Sequence, residues 1–593
     1  MRVGRYYESF LVNEDGTAVE SLEWSKTVLK ETALERSKRA IVSYSTSAQT
    51  AEVIAAYTLK ADGRRIDVPK DNYQVEVNRG QGKDSPVYSD WTTLTVVFPE
   101  VAVGDSVVLS YKVTQTEPMF PQHYSTAQFF SNQIAFDDLR VRFDYPASMW
   151  VQYEARGMKE AENRVIGDRK IIEWRYANER PVQNDRRDYT VFDPDQEIGY
   201  AFSTFKTYAD IATAYGARAL PKAVVTERIA ALATEIVKGK AAKVDQARAL
   251  YEWVAKNITY AGNCIGVGAV VPRDVSFVID NKMGDCKDHA TLLQALLTAQ
   301  SIKSTQALVN AGSVYRLPKI PVVANVNHVI TYLPEFDEYA DSTSDSTPFG
   351  MLPFSDQDKP VLLVEGFKEG AKTPVAPINS NREHVKSAIK IAPDGSASGS
   401  IEVVEKGEGA VRSRAWARKI SKDAEEDLVK NVFRGQGMIG YGKFEKDDPT
   451  GMVDSYHYKA SLNAEKFLKL PGPGAFYISP PLGLSASIAG AVRTPAESEK
   501  EADVTCSGGS IIEEYVIELP KALRVLSIPN NAKLKNEFLS YAATYVLKGK
   551  VLTVKRTLDD HTKGNVCSPQ YFAEYKKIAD KVMDNLKEQV LYK

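Results

Sequence analysis

At 593 residues the chain exceeds what one hydrophobic core supports, because cores stop growing near ~250–300 residues; about three domains are expected. Hydrophobic residues at 43% and charged residues at 26% exclude wholesale disorder and fibrous repeats. Lys plus Arg (75) nearly balance Asp plus Glu (77) and no long basic run stands out, so nucleic acid is not an expected partner.

The start, Met1-Arg2-Val3-Gly4-Arg5-Tyr6-Tyr7, lacks the apolar core of a signal peptide, and no stretch approaches the ~20 apolar residues of a membrane helix. Met1 runs almost at once into strand-like sequence, the beginning expected where a secretion leader has been replaced by a start methionine. From Tyr6 to about Pro181 short β-branched runs such as Trp91 to Phe98 and Ser106 to Val113 predict strands. Asp15-Gly16 and Asp62-Gly63 supply the positive φ angles of tight hairpin turns between them. Residues 1–205 therefore read as a β-sandwich domain, a spacer or binding module without a nucleophile pair or metal cluster of its own.

Helical spacing takes over at Thr226 to Val237 and Ala242 to Asn257, and a third helix is predicted from Cys286 to Ala299. Strands return at Gln306 to Asn310, Val326 to Leu333 and Glu338 to Ala340, so residues 206–365 form an α+β domain. A Gly/Pro/Lys-rich linker, 366–377, leads into a mainly β domain, 366–593, with a helix near Asp423 to Phe433. Its terminal helix is marked by Ser568 as N-cap, Pro569 at the first position and an apolar stripe of Tyr571, Tyr575, Ile578, Val582 and Leu586.

The chemistry lies in the middle domain. Cys286 opens the helix that follows Gly284-Asp285, where unpaired N–H groups and the positive end of the helix dipole stabilise a thiolate and a developing oxyanion. Alone, such a cysteine is better explained as a buried structural thiol. Downstream, His328 shares a strand face with Val326, Ile330 and Tyr332, and the next strand ends in Asp341, within side-chain reach of His328 in an antiparallel pairing. Nucleophile, base and orienting carboxylate thus occur in one segment, from a chain with only six histidines.

Gly284-Asp285-Cys286-Lys287-Asp288, then Ala290 to Leu297, then Asn327-His328-Val329, then Asp341-Ser342-Thr343 resembles the bacterial branch of the transglutaminase-like superfamily. The resemblance implies a papain-like triad of Cys286, His328 and Asp341 that forms a thioester with peptide or glutamine-type amide substrates, needing no cofactor and no metal. It implies hydrolysis (protease or amidase) more readily than transfer to an amine. One departure stands out: the family's aspartate-proline step reads Asp341-Ser342, which leaves the strand end less rigid. Tyr57 to Ile66, Val96 to Val101 and Gly104-Asp105 are similar to an uncharacterised β domain often found ahead of such domains in exported bacterial proteins, so a periplasmic or otherwise exported location is implied. The alternative is a catalytically silent envelope scaffold that binds a partner through its β domains.

Weaker candidates surround the triad. Tyr260 and Asn263 are candidates for the second oxyanion donor, or structural. Tyr315 and Arg316, in a segment stiffened by Pro318 and Pro321, are candidates to line the substrate cleft, or belong to an ordinary connector. His289 is read as a packing or hydrogen-bonding residue, and Cys264 as a buried thiol near the site. Cys506 and Cys567 are expected to pair as a disulfide in an oxidising compartment, the alternative being two buried thiols in a cytosolic protein.

Overall fold

The computed structural model describes residues 2–77, 90–182, 190–262, 267–497 and 502–593. Contact within the chain divides it into two compact units, one of 1–187, 192–343 and 359–373, the other of 188–191, 344–358 and 374–593.

In the first unit, residues up to about 203 build a β-sandwich. Its long sheet has eight strands in the order Lys159–Ile166, Arg169–Asn178, Ala135–Pro146, Arg2–Val12, Ala18–Thr27, Ser106–Gln115, Gln49–Leu59 and Arg65–Asp67. All its pairings are antiparallel except that of Arg2–Val12 with Ala135–Pro146. Two three-stranded sheets cover it. Under one, Phe10, Phe143, Tyr200 and Phe202 pack together, Phe143 and Phe202 stacked at 4.2 Å; under the other, Trp24, Leu94, Val96 and Leu109 do so. Alternation of these large apolar residues with polar ones selects one face of each strand for the core. Both Asp-Gly turns adopt the expected left-handed backbone (φ 91° at Gly16, 88° at Gly63). Gly16 is doubly constrained, because a Cβ there would lie 2.7 Å from the His123 carbonyl oxygen.

The α+β region carries the helices Tyr208–Ala219, Glu227–Ile236, Lys243–Asn257 and Cys286–Ala299, with a four-stranded sheet ordered Glu338–Ala340, His328–Leu333, Thr305–Val309, Leu362–Leu363. The helix Tyr208–Ala219 goes beyond the sequence expectation, although Thr207 and Asp210 form a reciprocal capping box at its start. The helix Cys286–Ala299 is buried from Lys287 to Leu297 on all sides. Its polar side chains therefore need internal partners. Gln306 supplies them from the sheet, donating to Thr291 Oγ1 (3.1 Å) and Gln294 Oε1 (3.0 Å) while accepting from Tyr215 (2.7 Å).

The second unit is built on a nine-stranded sheet that runs through Ser455–Ala464, Ala397–Lys406, Arg382–Ile391, Gly509–Glu518, Val551–Asp560 and Leu539–Lys548. The expected helix near 423–433 is broken into Lys422–Glu426 and Leu428–Gly435, and the helices Glu408–Lys419 and Ile488–Glu497 were not foreseen from sequence. The terminal helix, Pro569–Leu586, has Ser568 accepting from the Tyr571 N–H and buries Tyr575, Ile578, Val582 and Leu586 against the sheet. Cys506 and Cys567 are joined by a disulfide beside the short pairing of Val504–Thr505 with Val566–Cys567, Cys567 directly preceding the helix cap. The loop closed spans 61 residues. Chain entropy assigns such a bridge about 4 kcal/mol. Reduction is expected to lower the thermal unfolding temperature and to open 502–593 to protease while the first unit stays resistant, as limited proteolysis with and without reductant will show.

Candidate active site

The nucleophile position is set by the first turn of the helix Cys286–Ala299. Asp285 caps it: its side chain accepts from the Asp288 N–H (3.3 Å), and the Asp288 carboxylate accepts from the Asp285 N–H (3.1 Å). Asp288 also takes two hydrogen bonds from Arg273, backbone N–H at 2.7 Å and guanidinium at 2.8 Å. Burial pushes the Asp285 carboxyl up, opposed by the neighbouring Lys287 ammonium, with which it is paired. Gly284 is required by close approach, since a Cβ there would meet Asp288 Cβ at 2.6 Å. Gly284→Ala is expected to force the capping box apart, costing about 1–3 kcal/mol and slowing alkylation of Cys286. Thermal denaturation and iodoacetamide kinetics on the same sample measure both.

Cys286 is partly buried, against a cluster that includes Phe120, Phe205, Tyr215, Ala290, Leu308 and Val329. Its thiol lies near His328, the first residue of the strand His328–Leu333, close enough to contribute to the upward shift of the imidazole. The ring is held by Asp341, with Nε2 at 3.1 Å from Oδ2. Sheet register explains the reach. Thr331 pairs with Ala340, so Asp341, one residue on, falls level with Ile330, diagonal to His328 on the same face.

Asp341 is buried and fully oriented. Its Oδ1 accepts from the Thr343 N–H (2.9 Å) and hydroxyl (2.7 Å), and its carbonyl accepts from Tyr251 (3.0 Å). These bonds supply the rigidity that the Asp341-Ser342 step forgoes by lacking proline. Burial alone would raise the Asp341 carboxyl and lower the His328 imidazolium. The attraction between the two outweighs it, so Asp341 is held well below the usual carboxylate range and His328 well above its ordinary value.

His289, the hydrogen-bonding residue of the sequence reading, is buried, with Nδ1 donating to the Ser342 carbonyl (2.8 Å), so it braces the loop that follows Asp341. Burial holds it below its ordinary value and therefore neutral. Tyr260 lies in the short strand Thr259–Tyr260, parallel to Met283–Gly284, half exposed and with its ring 6.1 Å from that of His289. Asn263 and Cys264 lie outside the described residues.

The two substrate-lining candidates differ in their surroundings. Tyr315 is buried beneath the Lys359 ammonium, 3.3 Å from its ring centre, which makes it a packing residue. Arg316 projects into solvent and pairs with Asp193 (3.1 Å). Sequence reasoning missed Arg273, Tyr251 and Thr343. Only Thr343 left a signal: Asp-x-Thr is the pattern in which a carboxylate accepts from the residue two positions on, and Asp15-Gly16-Thr17 repeats it.

The structure thus brings together a thiol at a helix start, an imidazole and a carboxylate, the residue types that acyl transfer uses. Residues 230–311 match the transglutaminase-like superfamily. This transglutaminase-like core contributes Cys286, whereas His328 and Asp341 follow beyond the matched stretch. It stands between two domains of unknown function, DUF3857 over residues 14–183 and DUF3858 over residues 492–592. None of the curated proteins matches the chain. Among solved structures, a "putative protease" from Parabacteroides distasonis is similar over 100% of this chain and 99% of its own, with a TM-score of 0.70 at 13% identity, so the multidomain fold is shared end to end. A "putative cysteine protease" from Cytophaga hutchinsonii aligns with 57% of this chain and 78% of its own at 10% identity, but a TM-score of 0.16 carries no structural argument.

Proposed function

We propose that the protein is a cysteine hydrolase of peptide or glutamine-type amide bonds. The observation that carries this reading is the placing of Cys286, at a helix start, beside His328, whose ring is held by Asp341 at 3.1 Å. In the proposed reaction the Cys286 thiolate attacks the amide carbonyl carbon, and N–H groups of the first helical turn take the charge on oxygen. The C–N bond breaks as protonated His328 delivers its proton to the departing amine, leaving a thioester. Neutral His328 then takes a proton from water, whose oxygen attacks the thioester, and the acid leaves with the thiolate restored. Asp341 stays ionised, keeping the ring's tautomer and orientation.

The Cys506–Cys567 bridge supports work in an oxidising compartment, because structural disulfides persist there. The decisive experiment incubates wild-type and Cys286→Ala protein with candidate peptides, with and without an added primary amine, and reads product masses. Cleaved peptides from the wild type alone support hydrolysis. Amine adducts in place of cleavage would turn the reading to transfer, and no thiol-dependent product, with Cys286 no faster than other accessible thiols towards iodoacetamide, would turn it to a scaffold.

A further inference from the structure

The second unit carries an open cavity of about 540 Å³, a size suited to a small ligand. One wall carries Glu383, from the strand Arg382–Ile391. Glu383 is 9% exposed, and its Oε1 has no hydrogen-bond partner among the described residues. Directly opposite across the antiparallel ladder stands Glu405, also buried and also with one unpartnered oxygen, Oε2. Glu513, on the other neighbouring strand, adds a third carboxylate, but a buried Arg556 pairs with it at 3.4 Å. No buried cation pairs with the first two among the described residues; the guanidinium that faces them, Arg412, is on an exposed side chain.

Like charges directly opposite in a ladder weaken a sheet, and buried carboxylate oxygens without donors weaken it further. Burial, then the charges of Glu405 and Glu513, push the Glu383 carboxyl up to about 8. Left to itself such a carboxyl is mostly protonated at pH 7, and a cation that meets it from the cavity would draw it into its ionised form. No three of these carboxylates bring oxygens within 4.8 Å of one another among the described residues, which does not fit a metal ion. An organic ammonium needs only one carboxylate and ordinary acceptors, and Ser487, Ser507 and Ser510 line the same cavity. Glu408 and Asp560 line it as well, and Arg382, Lys406 and Arg412, all exposed, are the lining groups that complement an anion.

We propose that this cavity binds the two charged ends of a short peptide, the free ammonium at Glu383 and the terminal carboxylate at the exposed basic groups. The site stands apart from the triad's chemistry, so its test is made on full-length protein carrying Cys286→Ala, in which turnover plays no part. Calorimetric titration at pH 7, where a terminal amine is mostly charged, compares triglycine with N-acetyl-triglycine and triglycine amide. Triglycine is expected to bind, and each capped peptide to bind at least about tenfold more weakly. Glu383→Gln is expected to lose triglycine binding while unfolding at the same temperature or higher. Arg412→Gln, at an exposed position, is expected to bind triglycine and its amide alike, and decides the matter alone if Glu383→Gln does not fold. Equal binding of free and capped peptides, retained binding by a folded Glu383→Gln variant, or no heat of binding up to about 10 mM triglycine would overturn the proposal.

Discussion

Cys286→Ala is expected to reduce peptide or amide turnover by at least about 10³-fold without unfolding the protein. The size follows from its place in the reaction: removing the sulfur removes the covalent route, and nothing else on the helix start can replace it as a nucleophile. The packing cost is small by comparison, because Cys286 is only partly buried and the capping box is made by Asp285 and Asp288. Cys286→Ser sharpens the test. A serine keeps the size and hydrogen bonding but is far harder to ionise, so activity close to that of the wild type would mean that the thiol is not the attacking group. Circular dichroism melts of both variants separate lost chemistry from lost fold.

Asp341→Asn is expected to have the next largest effect, a fall of about 10²–10⁴-fold in kcat, with a change in the shape of the pH profile. The amide donates where the carboxylate accepted, so it favours the ring tautomer that withdraws the proton from the wrong side. It also removes the negative charge that, against burial, keeps His328 well above its ordinary value. The alkaline limb of activity marks the loss of the His328 proton, and in the variant it should move to lower pH. The sign for stability runs the same way. A histidine raised on folding stabilises fully below its unfolded value of about 6.5, and that contribution is lost as pH climbs through the folded value. Asp341, depressed on folding, stabilises above the ordinary carboxylate range and loses its contribution as pH falls through its folded value. The wild type should therefore be most stable between the two, and Asp341→Asn should lose this dependence on both sides. An unaltered profile in kcat and in melting temperature would show that another group orients His328.

The parts of the site legible in sequence were those in which position along an element sets position in space. A helix start puts Cys286 at a dipole end, and strand periodicity puts His328 and Asp341 on one face, so type and spacing sufficed. Arg273, which holds Asp288, and Tyr251, which holds the Asp341 carbonyl, come from elements joined to the site only by tertiary packing. No local pattern announces them. Tyr315 is a further case: two nearby prolines suggested a substrate-lining loop or a connector, whereas Lys359, which lies 44 residues later in the chain and covers the ring, could not be read from local sequence. The same limit applied to the helices. Tyr208–Ala219 had a readable cap at Thr207, yet its stripe of Ile211, Ala212, Tyr215 and Ala219 is short and weakly hydrophobic, and burial against the core decides it.

The helix that begins at Cys286 has no solvent face from Lys287 to Leu297, and this bears on how the protein tolerates change. A surface helix accepts substitution on its outer side, but here every direction meets another side chain, so a change in volume at Ala290, Leu293 or Ala295 is carried along the axis to the sulfur. Misplacement by about 1 Å is enough to cost a reaction some 10²-fold. Variation that adjusts what the site accepts is therefore expected among the residues around its mouth, while this stretch of sequence is expected to drift only by exchanges that conserve shape.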